Sequence, residues 1–298
     1  MKIAFFGTPD DAVPPLRALA ARDEIVLVVT QPDRRRRRGG GESPSPVKAA
    51  ARELGLMVRT PGRAGDVVDD VGASGAEVGV VVAFGQLLPP ALLAALPLGF
   101  VNVHFSLLPR WRGAAPVERA ILAGEDETGV CVMRLDEGMD TGPVFRCERT
   151  PIERTETAGE LRDRLGEMGT ALLLDVLPLV GTTEPHPQVG EATFAPKLEV
   201  DEFQLDPNRA ALELERLVRA GNPRPGAWMI VDGRRIRVLR ARATEAAHPP
   251  GTISPVAELG TAAGALRLDE VQPEGRRRMS GDAWLAGHRG QLLRVDNA

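Results

Sequence analysis

Cysteine and lysine are nearly absent from this 298-residue chain. Its two cysteines, Cys131 and Cys147, are too few for a disulfide framework or a zinc site, and each sits in a strand-like run, so both are expected as buried thiols. Lys2, Lys48 and Lys197 are the only lysines, and arginine stands in their place nearly everywhere, a pattern read as coding bias. No stretch approaches the ~18 uninterrupted apolar residues of a membrane span. The opening Met1-Lys-Ile-Ala-Phe-Phe6 reaches Gly7 before it attains the apolar length of a signal peptide. The expected location is the cytoplasm, with no membrane partner. The spaced glycines of a dinucleotide-binding turn are missing too, since only Gly7 is present after the first strand. No nicotinamide, flavin or metal is expected.

What is present is an ordinary globular composition, 43% hydrophobic and 26% charged, long enough for one large and one smaller domain. The net charge of −4 argues against a general nucleic-acid binder, but it is unevenly spread. Residues 206–298 hold 15 arginines against 11 acids, a net +4, which leaves −8 on residues 1–205. An acidic front and a basic back suit a protein whose second part meets a polyanion. The expected division is a catalytic domain at 1–182, a Pro-interrupted linker at 183–206 and a carboxy-terminal barrel at 207–298.

Lys2–Phe6, a Gly7-Thr-Pro9 turn, a helix capped by Asp10, and Ile25–Val29 form a strand-turn-helix-strand unit, whose strands must lie parallel. The run Val78–Phe84 lacks alternation, as in a strand buried on both faces of a helix-covered sheet. These features predict an α/β fold with a doubly wound, mostly parallel, Rossmann-like sheet. After residue 207 a helix precedes short β-type runs (Trp228–Val231, Ile236–Arg242, Gly264–Val271) separated by Pro/Gly turns, which read as a small β-barrel. Between the two early strands and the third, Gln31–Pro46 is a long polar loop holding Arg34, Arg35, Arg36, Arg37 and Arg38, which is either a solvated tail or an arm that grips phosphates.

The chemistry concentrates between Asn102 and Asp140. Asn102 and His104 are two apart on a strand, so their side chains share a face, opposite Val101 and Val103, at the carboxyl end where ligands of such sheets bind. Each residue alone has a structural explanation, in hydrogen bonding or in a turn. Together with Asp140, in the turn Asp136-Glu-Gly-Met-Asp-Thr-Gly142, they supply an oxyanion donor, an imidazole and a carboxylate to orient it and relay a proton. No Ser or Cys has a clear base partner, so direct acyl transfer is favoured over a covalent acyl-enzyme. Phe84, Leu87, Leu88 and Leu107-Leu108-Pro109 make an apolar wall suited to a flat heteroaromatic ligand.

Phe6-Gly-Thr-Pro-Asp10, Thr30-Gln-Pro-Asp33, Ser45-Pro-Val-Lys48, Asn102-Val-His104, Ser106-Leu-Leu-Pro-Arg-Trp-Arg-Gly-Ala-Ala-Pro116, Asp140-Thr-Gly142 and Asn222-Pro223 resemble the folate-dependent formyltransferases across most of the chain. The long Ser106–Pro116 run is the specific element. The resemblance implies transfer of a formyl group from 10-formyltetrahydrofolate to the α-amino group of initiator methionyl-tRNA. It implies Asn102, His104 and Asp140 as catalytic residues and Ser106, Leu107, Leu108 and Pro109 as folate contacts. It also implies an oligonucleotide-binding type for the barrel. Phe105 departs from the family's frequent Gly, and Arg224 from its common Trp. The protein is expected to act as a monomer. The competing readings are a formyltransferase for a small amine, such as glycinamide ribonucleotide or an amino sugar, and a non-catalytic RNA-binding module.

Overall fold

The computed structural model describes residues 1–35, 42–288 and 293–296. By internal contacts the chain forms two units: Met1–Pro116 with Glu127–Pro151 and Arg162–Ala195, and Val117–Asp126 with Ile152–Leu161 and Pro196–Ala298.

The first unit is built on a seven-stranded sheet: β1 (Lys2–Gly7), β2 (Glu24–Val29), β3 (Val58–Arg59), β4 (Val78–Val82), β5 (Phe100–His104), β6 (Glu127–Arg134) and β7 (Val144–Pro151). Their spatial order is β7-β6-β5-β4-β1-β2-β3. The five strands from β3 to β5 are mutually parallel, and β6 and β7 continue the sheet antiparallel. The chain runs outward from β1 to β2 and β3, then returns to β4 on the other side of β1, the strand-order reversal beside which such sheets bind ligands.

Helices α1 (Val13–Ala20), α2 (Pro46–Glu53), α3 (Val68–Ala73), α4 (Pro90–Leu93) and α5 (Pro116–Ala123) fall between these strands in sequence. Asp10, expected to cap the first helix, does not. It opens a 3-10 turn, Asp10–Ala12, preceded by Pro9 without a side-chain cap bond. The α-helix begins at Val13 because Pro14 and Pro15 lack the N–H that any position beyond the first turn must donate. Within the 31–46 loop, Arg34–Arg35 pairs antiparallel with Glu42–Ser43, and Ser45 caps α2 by accepting from the Lys48 N–H at 3.0 Å.

One face of the sheet carries Ala4, Phe6, Leu27, Val29, Val81 and Phe100, clustered with Val67, Val71, Phe84, Leu88 and Leu92. Phe6 stacks edge-on against both Phe84 and Phe100, with centroids 5.4 Å apart in each pair. Gly79 faces Phe100 in register, and a β-carbon there would fall 2.0 Å from the ring, so the parallel β4–β5 pairing requires glycine at that point. The opposite face meets α6 (Ala158–Val176), where a β-carbon on Gly169 would lie 2.7 Å from Val103. With Val103 under that helix, Asn102 and His104 point away from it, as the two-residue period of a strand demands.

Cys131 on β6 and Cys147 on β7 are cross-strand partners, Cα atoms 4.1 Å apart, and form a disulfide. The expectation of two buried thiols is therefore corrected. Both residues read as strand, but the antiparallel register that sets them opposite each other is a tertiary property.

The second unit contains α7 (Ala211–Gly221) and a sheet of β8 (Ala227–Val231), β9 (Arg234–Thr244), β10 (Thr252–Ile253), β11 (Glu258–Gly260), β12 (Ala265–Pro273) and β13 (Leu293–Arg294). The order is β8-β9-β12-β11-β10-β13, antiparallel throughout, with Met279–Ser280 also paired to β12. Register shifts within residues 238–241 of β9 add bend and twist, and a single antiparallel bridge, Val231 to Val295, links the first strand to the end of the last. The result is a curled antiparallel sheet. Leu214, Leu217 and Val218 on α7 are buried, and Glu215 accepts the Ala243 N–H at 2.6 Å. Among the described residues no helix is long and apolar enough to cross a membrane.

Candidate active site

Asn102 and His104 are the third and last residues of β5, and both are buried. Because β6 runs antiparallel to β5, the turn that follows β6 starts at the far end of β5, with the Leu135 N–H bonded to the Phe100 carbonyl at 2.8 Å. Residues 136–142 then fold back over the face that carries the Asn and His. Their own polar groups shape the turn: Thr141 Oγ1 donates to Asp136 Oδ1 at 2.6 Å, and the Gly138 N–H reaches the same oxygen at 3.1 Å. Asp140 holds the left-handed region, φ 54°, costly for a residue with a β-carbon.

This brings Asp140 Oδ2 within 3.6 Å of His104 Nδ1, at side-chain exposures of 17% and 6%. The same oxygen accepts the Gly113 N–H at 2.8 Å. The other ring nitrogen, Nε2, lies 3.0 Å from the Trp111 carbonyl, which can only accept, so Nε2 carries the hydrogen and Nδ1 faces the carboxylate. Trp111 is itself left-handed, φ 59°, and its N–H is held by Thr193 Oγ1 at 2.9 Å.

The Asn, His and Asp side chains open into a cavity of about 430 Å³. Its apolar lining includes Val81, Phe84, Leu88, Leu93, Leu135 and Met139. Phe84 is buried, whereas Leu87 stands 70% exposed at the rim. The loop that bears Phe84 is pinned through its carbonyl, which accepts from Thr8 Oγ1 at 3.1 Å and Gln31 Nε2 at 2.9 Å. Gly85 follows at φ 79°, where a β-carbon would also sit 2.7 Å from the Gln31 amide. The separated motifs Thr30–Asp33 and Ser45–Lys48 meet beneath: Thr30 Oγ1 and Ser45 Oγ are 2.7 Å apart, and Lys48 Nζ contacts Asp33 at 2.7 Å.

An apolar slot, ending in a carboxamide, an imidazole and a carboxylate, is arranged for acyl chemistry on a flat ligand. Family models agree: "Formyl transferase" matches residues 1–177 and "Formyl transferase, C-terminal domain" residues 197–289. The chain belongs to the formyl transferase family. Among relatives of this formyl transferase, the methionyl-tRNA formyltransferase of Thermus thermophilus is 46% identical over 97% of this chain and 96% of its own length. That of Paracoccus denitrificans is 45% identical over 96% and 97%. HypX from Aquifex aeolicus, solved in complex with tetrahydrofolic acid, shares the fold at TM-score 0.67 with 17% identity, covering 97% of this chain and 48% of that one.

Not every residue singled out in the sequence meets at this cavity. Ser106 is fully buried and spends its hydroxyl on the Arg110 carbonyl at 2.5 Å. Leu107, Leu108 and Pro109 line a second, more polar cavity of about 550 Å³ together with Trp111 and Thr193. Phe105, the departure from the family pattern, lines the first. Arg34 and Arg35 form a short strand, while Arg36, Arg37 and Arg38 lie outside the described residues. Among the described residues no group of three or more His, Cys, Asp or Glu could hold a metal ion.

Four further residues bond to this arrangement without a mark in the sequence. Trp111 and Gly113 stood inside the conspicuous 106–116 run, but which backbone groups they offer is decided by a left-handed turn. Gln188 and Thr193 fall in the stretch read as a linker. There the His186 backbone exchanges bonds with Val144 at 2.8 and 2.9 Å, and Phe194–Ala195 pairs parallel with Arg112–Gly113. Nothing in the pattern of that Pro-rich segment marks these contacts.

Proposed function

We propose that this protein transfers the formyl group of 10-formyltetrahydrofolate to the α-amino group of initiator methionyl-tRNA. The observation that carries the reading is the His104–Asp140 contact at 3.6 Å beside Asn102, at the end of an apolar cavity. It is supported by near-full-length identity of 45–46% to proteins named methionyl-tRNA formyltransferase. The slot fits a pterin in kind: Phe84, Leu88 and Leu93 offer apolar walls, and the 136–140 turn offers peptide groups for its polar edge. The folate, when bound, supplies an activated formyl carbon on N10.

In this mechanism the amine nitrogen adds to the formyl carbon and its bond to N10 then breaks. Asn102 donates its amide hydrogen to the oxygen that gains negative charge. His104 Nδ1 accepts the proton that the attacking nitrogen must lose and returns it to the departing nitrogen, so that protons balance over the cycle. Asp140 holds the imidazolium between these events, and the Gly113 N–H fixes the carboxylate for that task. The Trp111 carbonyl locks Nε2–H and keeps the ring edge directed at Asp140. The apolar lining excludes water, which would otherwise compete with the amine.

In the same reading residues 1–182 form the catalytic domain, 183–206 the connection and 207–298 the RNA-binding domain. Ser106 braces the turn through the Arg110 carbonyl, and Leu107 to Pro109 line the second cavity rather than the folate slot. The curled sheet is an oligonucleotide-binding type of barrel, supported by the Val231–Val295 bridge. Its RNA contact is supported by a cluster of guanidiniums. Burial, and then the neighbouring Arg278, Arg235 and Arg224, push the Arg237 guanidinium below its ordinary value. Like charges crowded in this way favour a polyanion. Arg235 also lies 4.1 Å over the Trp228 ring. The protein works as a cytoplasmic monomer, with Arg34–Arg38 as a second phosphate contact.

The deciding experiment compares formyl transfer from 10-formyltetrahydrofolate to charged initiator tRNA, to glycinamide ribonucleotide and to an amino-sugar nucleotide. The proposal expects the tRNA alone to be formylated efficiently. Turnover on a small amine at comparable kcat/KM overturns it, and unchanged function in His104→Ala would replace it with a binding module.

A further inference from the structure

Asp140 sits in a turn whose internal bonds do not by themselves set its distance from His104. The backbone of that turn is also bonded by a side chain from residue 188. Gln188 Nε2 donates to the Asp140 carbonyl at 2.9 Å and to the Gly142 carbonyl at 2.8 Å. Gln188 Oε1 accepts from Arg112 Nε at 3.1 Å and Nη2 at 2.6 Å. A guanidinium only donates and a carbonyl only accepts, so the orientation of the amide is settled by its partners, and among side chains only Gln and Asn combine two N–H donors on one nitrogen with a carbonyl acceptor.

The contacts close a ring. Asp140 Oδ2 is bonded to the Gly113 N–H, Gly113 follows Arg112 in the chain, Arg112 grips Gln188, and Gln188 returns to the backbone of Asp140. The ring holds a residue at φ 54°, a conformation that persists only where its surroundings enforce it. Without the Gln188 amide, the two carbonyls of the turn lose their shared donor and the peptide at 140 is free to relax toward an ordinary φ, which carries the carboxylate away from Nδ1.

We propose that Gln188 is a positioning residue for formyl transfer, acting through Asp140 by clamping the 140–142 backbone to Arg112. This rests on the role of Asp140 given above. It makes the segment read as a linker part of the reactive geometry.

The test is a double-mutant cycle in the full-length protein, with single-turnover formylation of charged initiator tRNA as readout. Gln188→Ala is expected to lower the rate about 10- to 100-fold, the scale of a misplacement near 1 Å. KM for the tRNA is expected to stay within about threefold. Gln188→Glu retains the acceptor for Arg112 but sets a carboxylate against two carbonyls, and is expected to be no better than the alanine variant. Adding Gln188→Ala to Asp140→Asn is expected to cost less than about threefold more, because the carboxylate it positions is already gone. Thermal melts accompany every variant, and rates are normalised to folded protein. Full additivity, near-wild-type rates in both Gln188 variants, or a deficit that vanishes on normalisation overturns the proposal. Wild-type activity in Asp140→Asn alone would instead bring down the functional reading on which it rests.

Discussion

Asp140→Asn isolates one charge at nearly constant shape. The side-chain carboxamide oxygen can still accept the Gly113 N–H, now made at 2.8 Å, and the backbone clamp at residue 140 does not involve the side chain. What disappears is the attraction between a carboxylate and the imidazolium that forms when His104 takes up the amine proton. At the observed 3.6 Å that attraction is about 4–5 kcal/mol for an effective dielectric near 20. The partly exposed carboxylate, and the dipole retained by Asn, reduce the loss to about 3–4 kcal/mol. At 1.36 kcal/mol per decade, kcat should fall roughly 10²–10³-fold. The assay is single-turnover formylation of charged initiator tRNA at saturating 10-formyltetrahydrofolate, with folate affinity followed by fluorescence. Affinity should change little, since the carboxylate acts when charge develops. A kcat within about threefold of the parent protein, with Asp140→Ala equally active, would refute the reasoning outright.

Asn102→Ala should lose roughly 10²–10³ in kcat, the scale of deleting one oxyanion donor, with the tRNA KM unchanged in steady-state kinetics. Replacing Arg235 and Arg237 by Ala should raise the tRNA KM and reduce the slope of log kcat/KM against log salt by about 0.7–0.9 for each phosphate no longer neutralised, leaving folate binding intact; Arg34–Arg38→Ala should act likewise. Glu160 accepts the Thr157 N–H at the start of α6 and, with help from Arg240, its carboxyl is held at about 2, below the ordinary 4.5. A depressed carboxyl contributes stability that is present above pH 4.5 and lost as the pH falls toward 2. Because the side chain is 48% exposed, that contribution is about 1 kcal/mol or less. Denaturant midpoints should therefore show Glu160→Gln weaker than the parent at pH 7 and level with it near pH 2.

Local chemistry was legible in the chain. The unalternating Val78–Val82 run is a strand buried on both sides, and the two-residue spacing of Asn102 and His104 does put them on one face, with Val103 beneath α6. Partners far apart along the chain were not legible. Cys131 and Cys147 gave no sign of pairing because a one-residue change in register would have separated them. Asp10 looked like a cap until Pro14 and Pro15 moved the helix start. Gln188 lies 48 residues from Asp140 in a segment without periodicity, and only the fold makes them neighbours.

Sequence alone determined the parallel sheet, the division into an acidic front and a basic back, and the shared face of Asn102 and His104, since periodicity, composition and spacing are properties of short windows. Tertiary structure decided the 3.6 Å contact of His104 with Asp140, the left-handed turns at Trp111 and Asp140 that permit it, and the clamp from residue 188. Those depend on strand register and on loops closed by distant hydrogen bonds, and no local pattern encodes a distance between segments that meet only when the sheet is complete.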